Sequence, residues 1–236
     1  MMENIADILG SCNSVVKGSH LVYKKGTHGR EYIDKEQFSK LGARRLSEVL
    51  RIAVDCAINS GLEVIGKDMI GVVGPAYGAI PYTLTVAEAL EGHFRSPLFF
   101  PARTEVVTEK KIHIIPEKLL AMYAGKKFIG VEDIVNNGTT LRELRDLLRT
   151  IGSEMFAAIS IADRGGQTEK TLGIKQYFPG LRINMAQIDP REEICPQCAA
   201  GIPINTVLGK GSRWVKMFGQ PPYPPGMDFS AFWATE

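Results

Sequence analysis

The chain has 236 residues, of which 44% are hydrophobic and 23% are charged, a balance typical of a globular protein with a sizeable core. Its formal net charge is only +2 and no run of Lys and Arg exceeds two residues, so the sequence carries no strongly basic segment. We therefore expect no nucleic acid and no membrane as partners, whereas a small anionic ligand is compatible with the charge.

The amino-terminal segment and the cysteines indicate a reducing compartment. The segment MMENIADILGSCNS has acidic residues early and lacks the basic start and long apolar stretch of a signal peptide. No later segment reaches the roughly 18 apolar residues of a membrane-spanning helix. Four cysteines in a chain of this length fit a reducing environment better than a disulfide framework. We expect a cytoplasmic protein.

The first long element is predicted to be a helix that begins near Asp34. Asp34 can cap it, Gln37 follows three residues later, and Gly61 ends it. Apolar residues recur at helical spacing in between, namely Phe38, Leu41, Val49, Leu50, Ala53, Val54, Ala57 and Ile58. The pattern predicts a long amphipathic helix.

Two strand-loop-helix units follow this helix. In the first unit, residues 69–73 are predicted to form a buried strand, residues 74–78 a loop, and residues 81–90 a helix with proline in its first turn. In the second unit, residues 128–131 form the strand, and a helix ends at Gly152. A further apolar strand is predicted at residues 155–161. This alternation predicts an α/β fold, a parallel twisted sheet with flanking helices.

Residues 128–141, FIGVEDIVNNGTTL, place two carboxylates and a glycine-containing loop near the end of a predicted strand. We expect Glu132 and Asp133 to lie where the strand leaves the core. Residues 136–140 lead directly into a helix, whose free N–H groups and dipole favour a phosphate. The carboxylates suit sugar hydroxyls, or Mg²⁺ through water. The stretch predicts a ribose 5-phosphate site; an exposed turn followed by a threonine cap is the alternative.

This stretch resembles the phosphoribosyl-pyrophosphate (PRPP) signature of type I phosphoribosyltransferases, with Asn136 where that family usually has threonine. The resemblance implies the type I phosphoribosyltransferase fold, plus a small hood formed by the N- and C-terminal segments. It implies one domain over residues 1–236, with the hood at about 1–35 and 181–236. The PRPP-binding residues implied by the resemblance are Glu132, Asp133, Asn136, Asn137, Gly138, Thr139, Thr140, Ala76, Tyr77 and Gly78.

Three further stretches are similar to orotate phosphoribosyltransferases. These are GPAYGAIPYTLTVAEAL from Gly74, with Gly78 where the family commonly has lysine, YKKGTHGREYID from Tyr23, and ISIADRGG from Ile159. The similarity implies that the guanidinium of Arg164 recognises the orotate carboxylate. From the residues alone, KKGTHGR is a solvated loop and Asp163-Arg164 a surface ion pair. The orotate-binding residues implied by the similarity are Lys24, Tyr32, Ile33 and Arg164.

The segment between residues 100 and 126 departs from this family, which has there a mobile loop, rich in Lys and Arg, that closes over the active site from the neighbouring subunit. Here the segment reads PARTEVVTEKKIHIIPEKL, and its β-branched runs favour an ordered hairpin. An exposed hairpin face is the alternative role for His113 and its lysines. The catalytic residues implied by the resemblance are Arg103, Lys110, Lys111, His113 and Asp133.

The pair Cys195 and Cys198 in CPQC supplies only two of the four ligands of a zinc site. Neither of the other cysteines and none of the four histidines lies nearby in sequence. Some bacterial orotate enzymes end with a similar segment. We expect structural thiols ahead of metal binding or redox chemistry, and no metal bound directly by the protein.

The resemblance as a whole implies an enzyme of de novo pyrimidine (UMP) biosynthesis. It would make orotidine 5′-phosphate and pyrophosphate from orotate and PRPP, as a homodimer with Mg²⁺ as cofactor. A phosphoribosyltransferase for a purine or another base, and a non-catalytic PRPP-binding regulator, are the alternatives. A regulator should carry a winged-helix segment or a basic face, for which this chain has neither spare length nor charge asymmetry.

Overall fold

The computed structural model of the protein describes residues 4–62, 70–75, 79–91, 93, 98–107, 110–183 and 185–234. The strands are β1 (Val15–Val22), β2 (His28–Ile33), β3 (Ile70–Pro75), β4 (Leu98–Val107), β5 (Lys110–Ile114), β6 (Lys127–Val135), β7 (Glu154–Asp163), β8 (Gln176–Arg182) and β9 (Gln187–Ile188). The α-helices are α1 (Ile5–Ser11), α2 (Gly42–Asn59), α3 (Ile80–Leu90), α4 (Leu120–Tyr123), α5 (Thr139–Arg149), α6 (Glu169–Leu172), α7 (Pro196–Ala199) and α8 (Gly211–Phe218). Short 3₁₀ helices cover Lys35–Leu41, Glu117–Leu119 and Ser230–Phe232.

The chain divides into two compact units. The first unit comprises Met1–Ile8 and Leu41–Asn184, and the second comprises Leu9–Lys40 and Met185–Glu236. The second unit therefore combines segments from near both ends of the chain. The organisation as one domain with a hood stays a prediction.

The first unit is built on a six-stranded sheet in the order β5-β4-β3-β6-β7-β8. The strands from β4 to β8 in this order pair in parallel, and β5 pairs antiparallel with β4 at one edge. This arrangement confirms the predicted α/β fold with a parallel sheet and flanking helices. A buried core cluster of this unit consists of Val73, Tyr123, Phe128, Val135, Leu141, Leu144, Leu148, Met155, Ala158, Leu172 and Tyr177.

The helix predicted from Asp34 is divided in the structure. Lys35–Leu41 forms a 3₁₀ helix, and α2 starts at Gly42, whose φ of 71° lies in the left-handed region. Asp34 acts at the start of the 3₁₀ segment, where its Oδ2 accepts a hydrogen bond of 2.8 Å from Gln37 Nε2. Periodicity alone predicts one helix because it does not register a change of helix type. The end of α2 at Asn59 agrees with the predicted stop.

The second unit contains the three-stranded antiparallel sheet β1-β2-β9 and a small aromatic core. Trp214 of α8 is fully buried and lies at the centre of this core. The rings around it belong to His28, Phe218, Phe229, Phe232 and Trp233. Within the described ranges, no helix combines the length and apolarity needed to cross a bilayer.

Candidate functional site

The carboxyl ends of β6 and β7 lie side by side at one edge of the first unit. Val135 ends β6, Asp163 ends β7, and the two are register partners. The N–H of Arg164 donates to the Val135 carbonyl at 2.9 Å, so the connections after both strands start together. Ligands of parallel α/β sheets bind at this edge, which makes it the candidate site.

Glu132 and Asp133 lie inside β6 and not beyond its end. The expectation that they stand where the strand leaves the core is wrong, because β6 continues to Val135 in pairing with β7. Successive residues of a strand point to opposite faces, so the two carboxylates leave the sheet on opposite sides. Asp133 is buried, with 8% of its surface exposed, and Glu132 is half-buried.

The charge of each carboxylate affects the pKa of one tyrosine hydroxyl. Burial, and then the charge of Asp133, raise the pKa of Tyr82 in α3. Glu132 is the register partner of Ser160, whose hydroxyl lies 2.9 Å from that of Tyr177. Burial is the main cause that raises the pKa of Tyr177, and Glu132 adds to it. Both hydroxyls therefore stay protonated at neutral pH. Sequence analysis assigned no role to either tyrosine, although Tyr82 lies within the stretch GPAYGAIPYTLTVAEAL.

The connection from β6 to α5 ends without a side-chain cap. Gly138 occupies the N-cap position with φ of 70°, in the left-handed region, and no side chain caps it. Thr139 and Thr140 lie inside the helix, so the alternative in which either residue merely caps it is wrong. Asn137 Oδ1 lies 3.3 Å from the N–H of Thr139 and shapes the turn. The positive end of an eleven-residue helix thus faces the sheet edge.

Gly165 packs its backbone against the start of this connection. A Cβ added at Gly165 would overlap the carbonyl group of Asn136. The N–H of Gly165 also donates to Asp163 Oδ1 at 2.9 Å, which fixes the turn after β7. Glycine is therefore required for the two connections to approach this closely.

Gly165→Ala should displace the Asn136 backbone and weaken binding of a sugar phosphate at this edge. We expect a loss of about 1–3 kcal/mol in the free energy of unfolding, measured with denaturant, because the added methyl group overpacks the site. A titration with PRPP should show lower affinity. Gly10→Ala is the control, because a Cβ at Gly10 meets no atom within 4 Å. A Gly165→Ala protein with wild-type stability and affinity would contradict this description.

Asp163 is a buried acid with a partner in β8. It is 1% exposed, and Arg182 Nη1 donates to its Oδ2 at 2.9 Å. Burial raises the pKa of Asp163, while the N–H of Gly165 and the charge of Arg182 oppose that rise. Asp163 is therefore not an exposed residue, so the alternative in which Asp163 and Arg164 form a surface ion pair is wrong for Asp163. Arg164 is half-buried and directly follows β7.

Residues 98–114 contain the antiparallel pair β4 and β5. This pair confirms the ordered hairpin predicted from the β-branched runs. Residues 108 and 109 lie outside the described residues. The backbone of Arg103 belongs to β4, and that of Lys110 and Lys111 to β5. Their catalytic roles stay predictions.

His113 of β5 lies beside α5. Its Nε2 is 3.5 Å from Glu143 Oε2, and its side chain is 10% exposed. Burial lowers the pKa of His113, although the charge of Glu143 opposes the shift. The imidazole is therefore neutral at pH 7. Its catalytic role also stays a prediction.

Lowering the pH should destabilise the protein partly through His113. The pKa of His113 in the folded protein lies below the ordinary value of 6.5, so the unfolded chain binds a proton more readily at this residue. The stability that neutral His113 contributes is therefore fully present above pH 6.5 and is lost as the pH falls through the folded pKa. Denaturant midpoints at about pH 7.5 and about pH 5.5 should differ less in His113→Gln than in the wild type. His93→Gln, at an exposed histidine, is the control. An identical pH dependence in all three proteins would contradict the assignment.

The residues expected to contact the base belong to different units. Lys24 is exposed in the turn between β1 and β2, Tyr32 is half-buried, and Ile33 is 1% exposed; all three belong to the second unit. Arg164 belongs to the first unit. Their roles in binding orotate stay predictions.

The predicted PRPP-binding residues outside the described residues are Ala76, Tyr77 and Gly78.

One protein family matches more than half of the chain. Its sequence profile covers residues 47–178 and is described as the phosphoribosyl transferase domain. The match runs from α2 to β8 and includes the carboxylates of β6, the start of α5 and the end of β7. The family match and the candidate site therefore concern the same part of the chain.

Two relatives carry the name orotate phosphoribosyltransferase. The protein of Carboxydothermus hydrogenoformans is 34% identical over 145 residues, which cover 60% of this chain and 65% of that protein. The protein of Thermotoga petrophila is 25% identical over 219 residues, which cover 90% of this chain and 100% of that protein. The chain thus spans just under two thirds of the first relative and the whole of the second.

Solved structures of the same name share the fold. Orotate phosphoribosyltransferase from Aeropyrum pernix matches with a TM-score of 0.58 at 19% identity, over 76% of this chain and 93% of that chain. The protein of that name from Francisella tularensis matches with a TM-score of 0.55 at 15% identity, over 75% of this chain and 84% of that chain. At these identities the likeness concerns the fold alone.

Proposed function

Because this chain belongs to the phosphoribosyltransferase family, we propose that it transfers the ribose 5-phosphate group of PRPP to orotate. The single observation that carries the proposal is the strand-to-helix connection after β6. There an uncapped helix start lies at the sheet edge at which parallel α/β proteins bind ligands, and two carboxylates lie within β6 two and three residues before its end. The names of the relatives supply the choice of orotate as the base.

PRPP offers chemical groups that match this edge. The first-turn N–H groups of α5, with the hydroxyls of Thr139 and Thr140, bind the 5-phosphate, and Asn136 and Asn137 complete the loop. Glu132 and Asp133 accept hydrogen bonds from the ribose hydroxyls. Because the two carboxylates leave opposite faces of β6, they bind different hydroxyl groups of the ribose. The ribose is therefore held at both ends while its C1 remains accessible.

The reaction is a displacement at the anomeric carbon. N1 of orotate forms the new bond to C1 and releases its proton to solvent, the C1–oxygen bond to pyrophosphate breaks, and the configuration at C1 inverts. Positive charge develops on the ribose as the leaving group departs, so the negative charges of Glu132 and Asp133 stabilise that stage. Holding the phosphate and the ribose restricts motion to the reacting centre. The chain needs no carboxylate nucleophile for this step.

The donor set of β6 fits Mg²⁺. Two carboxylates, one of them buried at Asp133, supply hard oxygen ligands of the kind Mg²⁺ takes directly or through water. Because Glu132 and Asp133 leave opposite faces of β6, they would not share one inner shell, and each would meet the ion of PRPP only through water. Bound there, Mg²⁺ would neutralise charge on the departing pyrophosphate.

Arg164 recognises the base in this proposal. Its backbone is tied to the end of β6 through Val135, so its side chain starts beside the ribose-binding residues. A planar guanidinium pairs with a carboxylate in a bidentate manner, and orotate carries one. Lys24, Tyr32 and Ile33 are the further residues that the resemblance assigns to the base. Arg103, Lys110, Lys111 and His113 meet the pyrophosphate across the interface of a cytoplasmic homodimer.

The test is to offer orotate, uracil, adenine, hypoxanthine and guanine separately, with PRPP and Mg²⁺, and to follow pyrophosphate release. We expect turnover with orotate alone, accompanied by loss of orotate absorbance and formation of orotidine 5′-phosphate. Turnover with a purine would assign another base to this site. Saturable PRPP binding without turnover on any base would instead indicate a regulator.

A further inference from the structure

Four potential metal ligands from distant parts of the sequence converge inside the second unit. His28 in β2 is the register partner of Val22 in β1, and His20 lies two residues before Val22, with its ring centroid 5.2 Å from that of His28. Cys195 precedes α7 and Cys198 lies within it. One ligand atom from each of the four residues lies within 4.8 Å of all the others.

The distances match the edges of a tetrahedron around one ion. His20 Nε2 lies 3.1 Å from His28 Nδ1, and Cys198 Sγ lies 3.4 Å from the same Nδ1. The Sγ atoms of Cys195 and Cys198 lie 3.7 and 3.6 Å from His20 Nε2. Zinc–nitrogen bonds of about 2.0–2.1 Å and zinc–sulfur bonds of about 2.3 Å give tetrahedral edges of about 3.3 Å (N–N) and about 3.6 Å (N–S).

Hydrogen bonding among these side chains does not account for the arrangement. His20 Nδ1 lies 2.6 Å from the Ile202 carbonyl, which can only accept, so Nδ1 carries the proton of the neutral ring. Nε2 then has one lone pair, yet three groups converge on it, namely His28 Nδ1 and both thiols. An ion at the centre gives each of the four groups a partner at once.

Burial makes an unfilled cluster of polar groups costly. His20, His28, Cys195 and Cys198 are exposed by 1%, 0%, 2% and 8%. Polar groups held in an apolar interior destabilise a protein unless they are paired or bind a metal.

We propose that His20, His28, Cys195 and Cys198 bind one structural zinc ion. Two thiolates and two imidazoles in a tetrahedron are the ligand set of zinc, and four protein ligands leave no position open for catalysis. Each thiol releases its proton to solvent as the ion binds. The Ile202 carbonyl holds His20 in the tautomer that presents Nε2, as an outer-sphere partner does in zinc proteins.

The zinc ion joins the β1–β2 hairpin to the carboxyl-terminal segment. The core of this unit is the small aromatic cluster around Trp214, whose ring lies 4.6 Å from that of His28. A cavity of about 440 Å³ is lined in part by Cys195 and Cys198 and gives the ion an entry path. This site goes beyond the proposed transferase activity and does not depend on it.

The test is the metal content of full-length protein, purified without a histidine tag from cells grown with zinc. We expect about one zinc per chain by mass spectrometry, and a loss of at least about tenfold in Cys198→Ser and in His20→Asn. The matched controls are Cys56→Ser and His93→Asn, at exposed positions, which should keep the zinc. Equal zinc in Cys198→Ser and Cys56→Ser would overturn the proposal.

A second measurement does not depend on how well a variant folds. Wild-type protein freed of metal and then loaded with Co²⁺ should show the intense visible absorption of tetrahedral cobalt and thiolate-to-cobalt charge transfer. The thiols of Cys195 and Cys198 should stop reacting with a thiol reagent as this absorption grows. Purified protein that lacks zinc and gives no such spectrum, or that contains a Cys195–Cys198 disulfide, would overturn the proposal.

Discussion

Replacing Glu132 by Gln and Asp133 by Asn should each weaken PRPP binding by about 10- to 150-fold, which is the effect of losing a hydrogen bond to a charged group. The carboxylates accept from ribose hydroxyls, and an amide keeps the size of the side chain while removing its charge. Because both side chains bind the same ribose, the loss in the double variant should be smaller than the sum of the two single losses. Calorimetric titration with PRPP and Mg²⁺ measures both variants and the double variant.

Asp146→Asn is the matched control for these substitutions. Asp146 is an exposed acid of α5 that pairs with Arg145 and Arg149, outside the candidate site. Its substitution removes the same charge and should leave PRPP affinity within about twofold of the wild type. Wild-type affinity in the Glu132→Gln and Asp133→Asn double variant would refute the assignment of the carboxylates.

Arg164→Ala should raise the KM for orotate by about 100-fold or more while changing the affinity for PRPP by less than about threefold. Truncating one partner of a buried charged hydrogen bond costs about 2–5 kcal/mol, because the carboxylate of orotate is left unpaired. Arg164→Lys should recover only part of the loss, since an ammonium lacks the bidentate geometry. Initial rates measured against each substrate in turn separate the two effects.

Arg149→Ala controls for the loss of an arginine. Arg149 is an exposed residue of the last turn of α5, where its pairing with Asp146 contributes little. Both KM values should stay close to those of the wild type. Equal losses of orotate and PRPP affinity in Arg164→Ala would identify Arg164 as a structural residue of the turn after β7.

Local sequence patterns were sufficient for several central elements of the first unit, but not for β8, which the sequence analysis did not predict. The apolar run at residues 128–131 and the helical spacing after it are short-range features, so the strand, the loop and α5 could be predicted. The ordered hairpin of β4 and β5 followed in the same way from β-branched residues. What the local pattern could not supply was the end of β6, because its pairing with β7 carries it past Asp133 to Val135.

The residues that sequence analysis missed depend on tertiary contacts. Gly165 is required because the backbone of Asn136 packs against it, and the two lie far apart in sequence. The proposed metal-ligating role of His20 and His28 was not apparent beside Cys195-Pro-Gln-Cys198, since the fold of the second unit brings the four residues together. Pairs of ligands separated by more than a hundred residues leave no local spacing to recognise.

Amide hydrogen exchange shows whether the connection after β6 binds the phosphoribosyl group. Addition of PRPP and Mg²⁺ should slow exchange in peptides covering residues 132–141, and ribose 5-phosphate alone should reproduce the effect at residues 138–141. The reason is that the first-turn N–H groups of α5 become donors to phosphate. Saturating PRPP that leaves exchange in this segment unchanged, while protecting another segment, would contradict the account.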